Sequence, residues 1–162
     1  MSKTICLNAD IGELPGINGR ALDRAIASGG HAGDQESMTA TVKAAYARGV
    51  LIGAHPSYPD REDFGRKPMS MSREALTSTL LQQVRALAAI TRERGASLSH
   101  LKPHGALYNI AARDEGISRT IVDVTIQSRI PLLIGPPNSC LSAAAREACL
   151  DYLAEGFADR AY

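Results

Sequence analysis

The chain has 162 residues, 44% hydrophobic and 22% charged, with a formal net charge of +1. That composition is globular and long enough to bury one core, so a single domain is expected. The near-neutral balance gives no electrostatic pull toward nucleic acid or an anionic membrane, and no apolar run is long enough to span a bilayer.

The N-terminal Met1–Cys6 lacks the apolar stretch of a signal peptide. Cys6, Cys140 and Cys149 have no CxxC spacing, which predicts free thiols in a reducing cytoplasm. Thr4–Ala9 reads as a first strand running into Asn8-Ala9-Asp10, followed by a Gly/Pro/Asn loop. Leu22–Ser28 reads as a short helix passing into a weak strand. Gln35–Arg48 has helical spacing, with Met38, Val42, Ala45 and Tyr46 on one face and Gly49 as its stop. Val50–Ala54 is a strand. Ser72–Arg94 is a long helix whose stripe is Leu76, Leu80, Val84, Leu87 and Ala88. Strands follow at Ser97–Leu101 and Pro131–Ile134. Asp114 caps a helix carrying Ile117, Ile121 and Val124. Another helix starts near Leu141, and Leu153–Glu155 reads as a last strand. Alternation of about six strands with helices predicts a parallel sheet, either doubly wound or the incomplete or distorted arc of a β/α barrel.

Polar residues recur where these strands end. His55 opens the loop Gly53–Arg66, and His31 and His104 stand in Gly/Pro-rich turns after apolar runs. Asp10 ends the first strand with Glu13 close behind, and Lys102 precedes His104. Parallel strands aim their carboxyl ends at one face, where ligands bind in such folds. Asp10, His31, His55, Lys102 and His104 are therefore expected to meet at one mouth. Histidines beside a carboxylate can exchange protons near neutral pH, or hold a divalent metal and activate water. A metal would take Asp10, His55 and His104, although HExxH spacing is absent. Lys102 can stabilise an oxyanion or phosphate. Arg61 and Arg66 can clamp a carboxylate or phosphate, and Asp159 and Arg160 are expected at the same mouth. Asp34 reads as a helix cap, and His100 as a strand or surface residue without a role. A Walker loop, a dinucleotide glycine run and a serine elbow are all absent from the sequence.

The motifs Asn8-Ala9-Asp10-Ile11-Gly12-Glu13, His31-Ala32-Gly33-Asp34, Gly53-Ala54-His55-Pro56-Ser57, Pro59-Asp60-Arg61, Phe64-Gly65-Arg66, Lys102–Asn109 and Phe157-Ala158-Asp159-Arg160 occur in order along the whole chain. Together they resemble the LamB/YcsF family, the A subunits of bacterial ATP-dependent 5-oxoprolinases. The resemblance implies a distorted seven-stranded β/α barrel of the glycoside hydrolase/deacetylase kind. It implies ATP-driven opening of 5-oxo-L-proline to L-glutamate in the cytoplasm, together with B and C subunits. Asp10, His31, His55, Lys102 and His104 would be the catalytic set, with Glu13, Arg61, Arg66, Asp159 and Arg160 holding substrate.

Two features depart from the pattern. Family members continue well past Asp159-Arg160, so this single domain is expected to lack a final strand and helix. An open barrel edge would then be covered by a partner or a second copy. Ala27-Ser28-Gly29-Gly30 stands where the family carries an Asn-Ile-Ala-Cys-Gly-Phe run. A metal-dependent deacetylase-like hydrolase and a non-catalytic binding module are the alternatives.

Overall fold

The computed structural model describes residues 8–11, 24–27 and 34–157. Among these residues, six short strands form one sheet: β1 Asn8–Ile11, β2 Arg24–Ala27, β3 Leu51–Ala54, β4 His100–Leu101, β5 Leu132–Gly135 and β6 Asp151–Ala154. Each strand pairs in parallel with the next in sequence, and the order β1-β2-β3-β4-β5-β6 never reverses. A doubly wound sheet requires a reversal, so among the described residues that alternative is gone. All six carboxyl ends lie along one edge.

Five described helices connect and cover the strands: α1 Gln35–Ala47, α2 Arg73–Glu93, α3 Gly105–Ala111, α4 Glu115–Gln127 and α5 Cys140–Glu147. Helix α1 packs on α2, α2 on α4, and α4 on α5, following the strand order. The stripe of α2 holds: Leu76, Leu80, Val84 and Leu87 are buried with Ile52, Leu101 and Leu133 from the sheet. Burying each such side chain contributes about 1.5–3 kcal/mol. An exposed pair such as Arg73–Asp123, at 2.6 Å, contributes about 1 kcal/mol or less. Packing therefore decides where the helices sit.

Four N-caps set the helix starts. Asp34 accepts from the Ser37 amide at 2.8 Å while the Ser37 hydroxyl accepts from the Asp34 amide, also at 2.8 Å. Hydrogen bonding from Ser37, its backbone amide first and its side chain second, holds the Asp34 carboxyl below its ordinary value. Ser72, Asp114 and Ser139 cap α2, α4 and α5. Gly49, with φ of 65°, ends α1 as its position suggests. Cys140 and Cys149 are free thiols, and Cys6 lies outside the described residues.

Several expectations need correction. Tyr46 is 54% exposed, because it falls on the outer side of α1 while Met38, Val42 and Ala45 face inward. In the Leu22–Ser28 stretch, Arg24–Ala27 is strand β2, paired on both sides, so neighbours override the weak local helix signal. Only His100–Leu101 of the Ser97–Leu101 run is strand. His100 does lie in a strand, but it is fully buried over Gly53, where any added Cβ would collide with its ring. The sequence carries no expectation of helix α3. It begins directly after His104, too short for periodicity to mark it. No described helix is long and apolar enough to cross a membrane.

Tyr152 joins the sheet edge to the turn before α5, its hydroxyl donating to the Pro136 carbonyl at 2.7 Å. Burial pushes that hydroxyl from 10.0 up to about 12, opposed by a hydrogen bond with Ser139 and reinforced by the Glu155 carboxylate. The unfolded phenol loses its proton first, so the stabilisation is complete below pH 10 and lost as pH rises toward about 12. Chemical denaturation between about pH 9 and 12 should show this loss in the wild type. Tyr152→Phe should be less stable at neutral pH and show a shallower alkaline decline.

Candidate active site

The residues that follow strands β3, β4 and β6 enclose the site. Ala54 ends β3 and His55 follows it; Leu101 ends β4 and Lys102 follows; Ala154 ends β6 and Glu155 follows. Backbone bonds tie these ends together: Lys102 N donates to Ala54 O and Glu155 N to Gly135 O, both at 2.9 Å, and His104 N donates to Pro56 O, also at 2.9 Å. The loop after His55 is latched to α2 by Gln83, whose amide accepts from Ser57 N at 3.0 Å and donates to Ser57 O at 2.9 Å.

His55 and His104 are buried, 2% and 8% exposed, and form an edge-to-face pair with ring centroids 4.8 Å apart. His55 Nδ1 lies 2.7 Å from Lys102 O, and His104 Nε2 lies 2.9 Å from Phe64 O. A carbonyl only accepts, so both outer nitrogens carry hydrogen; the tautomers follow from their partners. The inner nitrogens, His55 Nε2 and His104 Nδ1, face each other at 3.0 Å. Two neutral rings would oppose two lone pairs there. A proton shared between the two inner nitrogens would relieve that opposition, and so would a cation bound by both.

Phe64 reaches His104 by adopting a left-handed backbone, φ 59°, which costs a non-glycine residue of order 1 kcal/mol or more. The neighbouring Gly65 carbonyl accepts from Ala106 N at 3.0 Å. Gly105, with φ of 55°, allows that approach: a Cβ there would stand 2.5 Å from the same carbonyl oxygen. The Phe64–Arg66 loop is thereby fastened to the start of α3, with the Arg66 guanidinium 5.6 Å from the Phe64 ring centroid.

Lys102 is the other centre. Its Nζ lies 2.7 Å from Glu155 Oε1, with the two side chains 6% and 5% exposed. It also lies 3.4 Å from Asn8 Oδ1 and 5.5 Å from the Phe157 ring centroid. Sequence reasoning places Glu155 at the end of a strand and gives it no part in the site. The rule that finds His55 and Lys102 applies to it equally, since it is the first residue past β6.

Two adjoining hollows open here. One, of about 430 Å³, is lined by His55, Arg66, Lys102, His104, Tyr108 and Phe157 among others. The second, about 380 Å³, shares Tyr108, Asn109 and Phe157 and adds Arg113 and Glu155. Both volumes fall in the range of small-molecule sites. His55, Lys102 and His104 thus meet as expected, with Arg66 at the same hollow. Arg61 is exposed and is not in either wall. Asp10 pairs with Ile26 in the strand register, and its side chain lies outside the described residues, as do Glu13, His31, Asp159 and Arg160.

Metal-bound histidines commonly donate their outer N–H to a carbonyl, as both rings do here. Among the described residues no group of three or more His, Cys, Asp or Glu could hold a metal. The described residues therefore offer two nitrogen ligands.

Removing one member of the buried ion pair strands the other. Lys102→Met should cost about 3–5 kcal/mol in chemical denaturation, and Lys102→Met with Glu155→Leu should recover much of it.

The LamB/YcsF family model matches residues 5–162. The chain is 43% identical to the 5-oxoprolinase A subunit of Methylococcus capsulatus, covering 100% of this chain and 66% of that protein. It is 47% identical to the Chloroflexus aggregans protein of the same name, covering 94% and 61%. It thus spans about two thirds of the length of these curated relatives. The crystal structure of a lactam utilization protein from Thermus thermophilus superposes with a TM-score of 0.89 at 35% identity, covering 99% of this chain and 69% of that one. A putative cellobiose-phosphate cleavage protein from Enterococcus faecalis shares the fold alone, with a TM-score of 0.60 at 12% identity over 91% of this chain and 65% of that one. The chain belongs to the LamB/YcsF family.

Proposed function

We propose that this chain works as the A subunit of an ATP-dependent 5-oxoprolinase, opening 5-oxo-L-proline to L-glutamate with B and C subunits in the cytoplasm. The observation that carries the reading is the His55–His104 pair, bracketed by two backbone carbonyls beside Lys102 in one hollow. The names of the relatives supply the substrate class. We read residues 1–162 as one domain, and the six sequentially ordered strands as the arc of a distorted seven-stranded β/α barrel.

A five-membered lactam is a stable amide with a poorly electrophilic carbonyl. ATP, handled with the partner subunits, would supply the phosphoryl group that makes the lactam oxygen a leaving group. This chain's residues would do the rest. The inner nitrogens of the imidazole pair can accept one proton and share it. The pair would take that proton from attacking water as the new C–O bond forms and give it to the ring nitrogen as the C–N bond breaks; a second water then attacks the resulting acyl phosphate and expels inorganic phosphate, leaving glutamate. Lys102 stabilises negative charge on the phosphorylated oxygen. Arg66 at the rim holds the substrate carboxylate. Asp10 and His31 join the catalytic set, and Glu13, Arg61, Asp159 and Arg160 the binding set, on the strength of their motifs.

A second reading, a metal-dependent deacetylase-like hydrolase, is favoured by the two imidazoles brought together at the site, with Asp10 as the third ligand. Elemental analysis separates the two: a metal-free preparation with full activity eliminates it.

The chain reconstituted with its partner subunits should release glutamate from 5-oxoproline only when ATP is present. His55→Ala and His104→Ala should each lower kcat by about 10²–10⁴ while the complex still assembles. No glutamate from the intact complex, with a full-length relative active alongside, overturns the proposal.

A further inference from the structure

His55 to Tyr58 is loop, yet all four residues are buried. A buried loop must find partners for its main chain inside the protein. Pro56 has no N–H to satisfy, and its carbonyl accepts from His104 N at 2.9 Å. Tyr58 O accepts from Asp60 N and from Ser57 Oγ, both at 2.8 Å. The Ser57 main chain is left to a side chain from another element. Gln83, half-buried on α2, accepts from Ser57 N at 3.0 Å and donates to Ser57 O at 2.9 Å. The orientation of its amide follows from these partners, because an N–H only donates and a carbonyl only accepts.

The segment after His55 is thus gripped by two elements: His104 holds the Pro56 carbonyl, and α2 holds Ser57. Pro56 is rigid and keeps the backbone of His55 extended. The place of Ser57 therefore sets the direction in which His55 leaves β3. The His55 ring, in turn, meets His104 Nδ1 at 3.0 Å. Without the Gln83 amide, Ser57 N and O would lose both bonds in a residue with no exposed surface.

We propose that Gln83 is a positioning residue for the imidazole pair: by holding the Ser57 main chain it keeps His55 at the distance from His104 that proton transfer requires. This rests on the proton-transfer reading above and adds to it a side chain that lines neither hollow. Two substitutions separate its bonds from its bulk. Gln83→Met keeps about the same length and removes both bonds. In Gln83→Glu an ionised carboxylate accepts from Ser57 N but opposes the Ser57 carbonyl, whereas the protonated acid donates to that carbonyl and restores both bonds.

Both variants are assayed in the chain assembled with its partner subunits. Gln83→Met should lower kcat for 5-oxoproline about ten- to hundredfold, with KM within about threefold of the wild type. In Gln83→Glu the ratio of variant to wild-type kcat should rise as pH falls and the introduced carboxyl takes up its proton. Wild-type kcat in folded Gln83→Met overturns the proposal. So does a ratio in Gln83→Glu that is the same at every pH. If Gln83→Met does not fold, the pH course of Gln83→Glu decides; if neither folds, Gln83 is a structural residue and the proposal falls. The Cε1 proton resonances of His55 and His104, recorded on the chain alone, keep this test separate from the functional reading. If the wild-type complex opens no 5-oxoproline but Gln83→Met displaces the His55 resonance, the functional reading falls and the role of Gln83 stands. Resonances at their wild-type positions in Gln83→Met overturn the role of Gln83 and leave the functional reading to the glutamate assay.

Discussion

The buried pair of Lys102 and Glu155 is the constraint on which the mouth of this fold depends. Each charge alone would cost several kcal/mol to hold away from water. Together, 2.7 Å apart, they are tolerable only while the ends of β4 and β6 stay in register across β5. That register comes from the sheet: Leu101 faces Leu133, and Gly135 faces Ala154. The pair is weak evidence for stability and strong evidence for placement, since a shift of one residue would turn one charge out of the pair and leave the other stranded.

The imidazole pair is positioned by a different means. Its two outer nitrogens are fixed by main-chain carbonyls, one from the residue after β4 and one from a loop forty residues upstream of His104. Main-chain carbonyls only accept, so each anchor fixes which edge of its ring points inward. The strained backbone at Phe64 is the local cost of bringing one carbonyl to that point. Gly105 is what allows the loop and α3 to come close enough for it.

How much of this is legible in the sequence depends on what each signal measures. The α2 stripe is legible because twenty-one residues repeat one pattern, and buried leucines dominate the energetics. Helix α3 is not, because seven residues give periodicity nothing to act on. Arg24–Ala27 misleads in part because a four-residue strand takes its identity from its neighbours. At the site, His55, Lys102 and His104 stand out from their place after strands. Glu155 escapes the same rule because the sequence puts a strand boundary one residue late, at Glu155 instead of Ala154. His100 looks unimportant in isolation; only pairing with β3 reveals that its ring occupies the space left by Gly53.

The chemical order along the carboxyl edge has its own logic. Moving from β3 through β4 to β6, the mouth presents imidazoles, then an ammonium, then a carboxylate. Putting Lys102 between the two lets a single residue serve both neighbours: its side chain pairs with Glu155, and its main-chain carbonyl orients His55. Because one residue performs both tasks, the carboxylate cannot move along the sheet without disturbing the imidazoles. The sequential strand order, more than any single motif, makes that coupling possible. It sets the end of β4 between the ends of β3 and β5, with β6 one strand further along.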